Sequence, residues 1–123
     1  MSKFTFKMKD RMKIVVERPA ANSCTLTISG KNDKVFSFSK RRAGELTDKI
    51  ISVLTYGTPA TFSFRKTVKS PAGSIVIEQP TTCVDAYSIT VCEDEKQIFF
   101  ENGIPRKTLK KMMKTMREVW GVE

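Results

Sequence analysis

The sequence predicts an α+β protein in which a β-β-β-β-α unit occurs twice, giving two antiparallel four-stranded sheets and two helices in one compact domain. Three observations predict this class. The hexapeptide IVVERP at 14–19 returns as IVIEQP at 75–80. Around each copy, apolar and polar residues alternate with the period of two that is typical of half-buried strands. Each half then ends in a segment whose apolar residues recur with helical spacing.

The rest of each half repeats in the same order. An F-X-F run precedes each hexapeptide, and two further apolar runs follow it. These runs are 4–6 and 62–64, then 26–28 and 89–91, then 35–36 and 98–99. We therefore predict repeat one at 3–57 and repeat two at 60–121, within a single domain spanning 1–123. A unit of this length is too small to bury its sheet face alone, so the two copies should share one core.

In the first repeat, each element is predicted from its periodicity and its flanking residues. Strands are expected at 3–9, 12–18, 24–29 and 34–39, and a helix at 43–55. The first strand places Phe4, Phe6 and Met8 on one face and lysines on the other. Pro19 should end the second strand because proline has no N–H to donate to the ladder. Gly57 stands where a helix commonly takes its C-terminal cap.

The second repeat follows the same scheme. Strands are expected at 60–67, 74–79, 86–92 and 97–101, and a helix at 105–120. The pair Asn102-Gly103 is a turn signal, and Pro105 stands at the favoured first position of the helix. Apolar residues line one side of this helix and basic residues the rest, while Trp120 is expected to hold it against the sheet or the other repeat.

The charge balance favours an anionic partner. The chain has 123 residues, with 22 lysine and arginine against 13 aspartate and glutamate, a net charge of +9. Such an excess is typical of proteins that bind nucleic acid, and less often of those that bind anionic membranes or acidic proteins. No apolar run approaches the length of a membrane span, so no membrane partner is expected.

The residue types that carry most enzymatic chemistry are scarce. The sequence has no histidine, the commonest general base and metal ligand, and it contains no glycine-rich phosphate loop. Its cysteines, Cys24, Cys83 and Cys92, are odd in number and lack metal-site spacing, which favours a reducing intracellular compartment. We therefore expect a non-enzymatic protein with no metal site or cofactor, in the cytoplasm or nucleoid or in the host cell of a virus or phage.

The sheet faces offer better-supported chemistry, the binding of an anionic polymer. Lysine and arginine neutralise phosphates, and small hydroxyls hydrogen-bond their oxygens. Such side chains point outward from the first and third strands of each repeat, at Lys3, Thr5, Lys7, Lys9, Thr25, Thr27, Arg65, Thr67, Ser88 and Thr90. Aromatic rings would supply base stacking. The candidates are Phe36, Phe38, Phe99 and Phe100, each of which can equally be a core residue.

Further phosphate contacts are expected from Lys13, from the basic segment 40–42 after the fourth strand, and from the loop 65–69. The nucleic-acid-binding set predicted from the sequence is Lys3, Lys7, Lys9, Lys13, Arg41, Arg42, Arg65, Lys66, Lys69, Phe36, Phe38 and Phe99.

The repeat order and the basic sheet face together resemble the Whirly/PUR-repeat class of single-stranded nucleic-acid-binding proteins, which shares its architecture with the transcriptional positive-cofactor domain. The resemblance covers nearly the whole chain, from Lys3 to Trp120, and is topological. It implies two curled sheets packed on helices, with basic, aromatic-bearing surfaces that take the nucleic acid. The first hypothesis is therefore a single-stranded DNA- or RNA-binding protein acting in transcription, replication or recombination, as a monomer or homodimer.

An alternative hypothesis remains open. A basic, methionine-rich amphipathic helix is also typical of segments that dock on other proteins. The chain would then be a small interaction modulator, bound to a polymerase or another acidic protein through its basic surface or its C-terminal helix. Low affinity for free oligonucleotides would distinguish this alternative from the first hypothesis.

Overall fold

The computed structural model describes residues 2–30, 32–68, 70–80 and 86–122. In these residues the elements follow the order β-β-β-β-α twice, as the sequence predicts. The first repeat contains β1 (Lys3–Lys7), β2 (Lys13–Ala20), β3 (Ser23–Ser29), β4 (Lys34–Ser39) and α1 (Lys40–Tyr56). The second contains β5 (Ala60–Phe64), β6 (Gly73–Glu78), β7 (Ala86–Glu93), β8 (Lys96–Pro105) and α2 (Arg106–Trp120). Each repeat forms its own antiparallel sheet, in the order β1-β2-β3-β4 and β5-β6-β7-β8.

The predicted alternation sets the inner face of each sheet. In the first sheet Ile14 pairs with Ile28 and Val16 with Leu26, and all four side chains are buried. In the second sheet Ile75 and Ile77 fall on the inner face in the same way. Because successive side chains point to opposite faces, the polar residues between them are left on the outer faces.

Several strand boundaries differ from the predictions: β1 ends at Lys7 instead of residue 9, so Lys9 lies in the turn after it, and three further differences concern β2, β5 and β8. Strand β2 runs past Pro19 to Ala20, with a register irregularity after Glu17 that accommodates the missing donor. Strand β5 ends at Phe64, so the basic residues after it lie in a loop. The pair Asn102-Gly103 does not break the chain: β8 continues through it because Gly103 takes a left-handed φ of 70° inside the strand.

Both helices end as the sequence predicts but begin differently. Helix α1 starts at Lys40, earlier than expected, because the Oγ of Ser39 accepts a hydrogen bond from the N–H of Arg42 and caps it. It ends at Gly57, which takes the left-handed conformation of a C-terminal cap. Pro105 lies just before α2 as its N-terminal cap rather than as its first residue.

The two repeats share one hydrophobic core, as predicted, and each helix packs across the opposite sheet as well as its own. Helix α1 contacts β5 and β6, while α2 contacts β1 and β2. Trp120 is fully buried and donates from Nε1 to the carbonyl of Thr25 at 3.2 Å, so α2 is fastened to the first sheet. The rings of Phe36 on β4 and Phe64 on β5 stack between the repeats.

Polar contacts fix the two helices against each other. Arg117 of α2 donates to the Oγ1 of buried Thr47 at 3.1 Å and to the carboxylate of Asp48 at 2.5 Å. At the other end of the pair, Arg106 donates to the carbonyl of Leu54 at 2.5 Å and to the Tyr87 hydroxyl at 2.9 Å. Since the start of α2 meets the end of α1, the helices run antiparallel.

Candidate nucleic-acid interface

A groove separates the two sheets where their edge strands β4 and β5 face each other. Edge strands expose unpaired N–H and C=O groups that tend to pair with another strand. Here side chains satisfy those groups instead. The N–H of Ser37 donates to the Oγ of Ser70 at 3.0 Å, and the guanidinium of Arg42 donates to the carbonyl of Ser63. The two edges therefore do not form a ladder, and a gap stays open between them.

This gap, which we call the β4–β5 groove, combines aromatic, cationic and hydroxyl groups. Its lining consists of Ser37, Phe38, Ser39, Arg42, Ser63, Phe64, Arg65 and Thr67. It encloses about 170 Å³. A protein cavity of about 150 Å³ is large enough to bind benzene, so the groove has room for one six-membered ring.

The ring of Phe38 is the accessible aromatic surface of the groove. It is half-buried, and its centroid lies 5.2 Å from that of Trp120, with the planes at 83°. Two further contacts join it to Phe64 and Phe62, with centroids 5.7 Å and 6.2 Å apart, so the ring packs against the edge of the core. These neighbours hold the ring in place, while its remaining surface faces the groove.

The guanidinium of Arg42 is fixed in the wall of the groove. It lies 4.3 Å above the centroid of Phe62 and pairs with the carboxylate of Glu45 at 2.7 Å. Its bond to the carbonyl of Ser63 adds a third restraint. A cation held on an aromatic face in this way loses little further conformational entropy when it meets an anion.

Other predicted basic residues lie at the rim or beyond it. Arg65 is exposed, lines the groove, and forms no ion pair with any carboxylate in the described part of the chain. Lys66 follows it and is exposed too. Arg41 sits in the first turn of α1, exposed, with its Nε 3.9 Å from Glu45. Lys69 falls outside the described residues.

Two of the predicted stacking residues are wrong. Phe36 has 0% of its surface exposed and Phe99 has 4%, so neither ring can meet a base. Both lie on inner faces and are covered by the core; Phe36, for example, lies opposite Leu26, whereas Phe38, on the same face of β4, stays half-buried near the end of the strand. The neighbouring Phe100 points outward instead and is 51% exposed.

A second group of predicted residues meets where β1 approaches β8. Lys7 pairs directly with Lys13 across the β1–β2 ladder. The backbone N–H of Lys9 donates to the carboxylate of Glu101 at 2.6 Å, and its ammonium donates to the carbonyl of Asn102 at 3.2 Å. The Lys7–Lys13 pair and Lys9 thus lie at the same end of β1, and Lys9 contacts the strand that carries Phe100.

The outer faces of the two sheets differ in charge, although the sequence predicts basic faces for both. The first sheet carries Lys3, which faces Glu17 across the ladder, and the Lys7–Lys13 pair. Strands β5, β6 and β7 contain no lysine or arginine. Arg65 and Thr67 lie beyond β5, and Ser88 is buried at 4% exposure. Apart from Lys96 at the start of β8, the lysines and arginines of the described strands therefore belong to the first repeat.

Sequence reasoning missed the residues that turn the β4–β5 junction into a groove. Ser63 and Phe64 come from one repeat, and Ser37 and Ser39 from the other, so no local pattern connects them. One signal was available for Ser39, because a serine directly before a basic helical segment is a typical N-terminal cap.

The cysteines and acidic residues contribute no further centre. Cys24 is buried and Cys92 half-buried, and both are free thiols, whereas Cys83 falls outside the described residues. Burial raises the pKa of the Cys24 thiol, although Arg18 and Lys40 act in the opposite direction. Within the described ranges no cluster of histidine, cysteine and carboxylate side chains could hold a metal ion. None of the helices described is long and apolar enough to cross a membrane.

The fold and the groove together define an internally duplicated α+β protein with one aromatic, arginine-lined junction between its sheets. Comparisons with protein-family models, curated proteins and solved structures find no match to this chain. The resemblance to the Whirly/PUR-repeat class therefore depends on the order of elements and stays a prediction.

Proposed function

We propose that this protein binds single-stranded nucleic acid without catalysis, taking one base into the β4–β5 groove. The observation that carries the proposal is the half-buried ring of Phe38 in a gap that also presents the guanidinium groups of Arg42 and Arg65. Base stacking on aromatic rings and neutralisation of phosphates by cations are the two contributions that single-strand binders combine.

The groove favours a single strand for a steric reason. A base that enters a space of about 170 Å³ must leave its stack and its partner. In a duplex this step costs a few kcal/mol, whereas an unpaired strand has much less to lose. The hydroxyls of Ser37, Ser39 and Ser63 add hydrogen-bonding groups suited to phosphate and base edges.

The lysines of the first repeat extend the contact beyond the groove. Lys7 and Lys13 lie opposite each other although like charges in directly paired positions destabilise a sheet. A phosphate bound to the pair would relieve that repulsion. In this account the groove supplies the preference for single strands, and the lysines supply affinity that falls with salt.

The proposed setting follows from the same chemistry. A single-strand binder of this size would act on strands exposed during transcription, replication or recombination, in a reducing compartment where free Cys24 and Cys92 persist. The partner is DNA or RNA.

Fluorescence anisotropy with labelled oligonucleotides tests the proposal. Arg65→Glu is compared with Lys96→Glu, which makes the same change of charge in the exposed β7–β8 turn. We expect Arg65→Glu to weaken binding to a single strand about tenfold or more at low salt, and Lys96→Glu to weaken it much less. Equal effects of the two variants on the affinity for a single strand would contradict the groove site.

A further inference from the structure

Helix α2 carries a row of lysines that the groove does not use. Lys107, Lys110, Lys111 and Lys114 are all exposed, and their i, i+3, i+4, i+7 spacing places them on one stripe of the helix. We call these four residues the α2 lysine stripe. The opposite side of the helix is buried and holds Leu109, Met112, Met113, Met116, Val119 and Trp120.

The α2 lysine stripe works against the stability of its own helix. The spacing creates four like-charge neighbour pairs, 107–110, 107–111, 110–114 and 111–114, each of which is destabilising. The first turn of α2 contains no acidic residue to complement the helix dipole. No carboxylate in the described ranges forms an ion pair with these lysines. An unfavourable arrangement that no ion pair among the described residues offsets indicates a partner that does so.

The first lysine of the stripe lies far from the β4–β5 groove, whereas the end of α2 approaches the groove where Trp120 contacts Phe38. The groove lies at the start of α1, where Arg42 is located, whereas the start of α2 contacts Leu54 near the end of α1. Twelve residues of helix separate these positions, a distance of roughly 18 Å at 1.5 Å per residue. A base in the groove therefore cannot contact Lys107, at the start of the stripe.

The chemistry of the exposed face decides between an acidic protein and a nucleic acid. Protein interfaces have an apolar or aromatic centre and are depleted in lysine. The exposed residues of α2 are Arg106, Lys107, Thr108, Lys110, Lys111, Lys114 and Glu118, with no apolar side chain among them. The lysine ammonium groups and the Thr108 hydroxyl stand in a row along the helix, and such groups are suited to contact successive phosphates of a nucleic-acid backbone.

We propose that the α2 lysine stripe is a second nucleic-acid surface, which binds the phosphate backbone of a duplex without reading its sequence. With the groove on a different part of the molecule, one chain could then hold a duplex and a neighbouring single strand together, as at a junction between paired and unpaired regions. This surface does not depend on the groove, so either site can be present without the other.

The test uses the double variant Lys110→Gln and Lys111→Gln, which removes all four like-charge pairs while the helix keeps good helix formers. The matched control neutralises two exposed lysines elsewhere, Lys49→Gln and Lys96→Gln. Binding to a duplex is followed by anisotropy over a range of salt concentrations, and stability by thermal unfolding.

We expect the stripe variant to lose roughly tenfold or more in duplex affinity at 50 mM salt, with the salt dependence reduced by about two in the slope of log K against log salt. Its Tm should be equal to or a few degrees above that of the wild type, because repulsion is removed. Its affinity for a four-nucleotide single strand should fall much less than its duplex affinity, because the base-stacking contact in the groove is kept. The control should keep most of its duplex affinity.

Duplex binding that is the same in the stripe variant and the wild type would overturn the proposal. So would tighter binding of polyglutamate than of a duplex of equal charge, because the occupant would then be an acidic protein. A different result would contradict the groove site: Arg65→Glu would then leave the affinity for the four-nucleotide strand unchanged, whatever its effect on duplex affinity.

Discussion

The ring of Phe36 from the first repeat stacks on the ring of Phe64 from the second, with centroids 4.4 Å apart and planes within 16°. The pair joins the inner faces of the two sheets directly behind the groove. It is therefore both the point where the repeats become one core and the support for the aromatic surface that Phe38 presents.

The stacked pair should be energetically coupled. We expect Phe36→Leu and Phe64→Leu each to lower the free energy of unfolding, and the double variant to lose about 0.5–1.5 kcal/mol less than their sum, because the stacking can be lost only once. Chemical denaturation measures the four proteins of the cycle. Phe100→Leu, at an exposed ring, is the control and should change stability by less than about 0.5 kcal/mol. Additive effects at 36 and 64 would mean that the rings do not interact.

Gly73, the first residue of β6, lies in close contact with the ring of Phe36 and leaves no room for a side chain. A Cβ at this position would overlap the carbonyl oxygen of Cys92 and lie 2.7 Å from Cε1 of Phe36. We expect Gly73→Ala to lower the free energy of unfolding by about 1–3 kcal/mol through overpacking.

The matched control for that variant is Gly44→Ala in α1. The added Cβ there would lie at an ordinary 3.5 Å from Cγ1 of Val122. Removing a helical glycine should raise the free energy of unfolding by about 0.5–1 kcal/mol. Denaturant midpoints of the two variants should therefore move in opposite directions, and a Gly73→Ala protein as stable as the wild type would show that the close approach does not exist.

The buried thiol of Cys24 should make stability depend on pH in alkaline solution. Burial raises its pKa in the folded state above the ordinary 9.0, so folding favours the protonated thiol. That contribution is present below pH 9 and is lost as the pH rises through the folded pKa, because the unfolded chain ionises first. We expect the stability difference between the wild type and Cys24→Ala to shrink as the pH rises above 9.

Urea denaturation at several pH values, in a Cys83→Ser background, measures that difference. Alkylation at pH 8 provides an independent check, since half-buried Cys92 should react faster than Cys24. A difference that stays constant to pH 11, or Cys24 reacting first, would contradict the burial of this thiol.

The contribution of the groove ring to binding can be separated from its role in packing. Phe38→Leu keeps an apolar side chain against Trp120 but removes the aromatic face. We expect it to weaken single-strand binding by about 1–3 kcal/mol, the usual contribution of one base–aromatic stack. Anisotropy with a short pyrimidine oligonucleotide measures the loss, and Phe100→Leu should have a smaller effect in the same assay.

The sequence predicts the repeat, the strands and the helix ends because these depend on local patterns. Alternation assigns Ile14 and Val16 to the inner face, and Gly57 marks the end of α1 by its ability to take a positive φ. The choice between Phe99 and Phe100 could not be made in this way. The register of β8 shifts at Val91/Cys92, and adjacent residues of one apolar run point to opposite faces.

The groove is beyond local patterns for a different reason. It forms where Ser70 accepts from a backbone N–H of β4 and Arg42 donates to a backbone carbonyl of β5, so that these groups do not pair with each other. Both contacts join residues more than twenty positions apart. The sequence identified Arg42, Arg65 and Phe38 as candidates by residue type. It could not indicate that these three would meet while Lys7, Lys9 and Lys13 lay together at the same end of β1.

The most direct measurement of the central claim is the map of backbone amide shifts in the ¹⁵N-labelled protein as a four-nucleotide single strand is added. We expect the largest changes at Ser37–Ser39 and at Ser63–Thr67, on the two strand edges that form the groove. Changes confined to α2, or no saturable change at either edge, would contradict a single-strand site between the sheets.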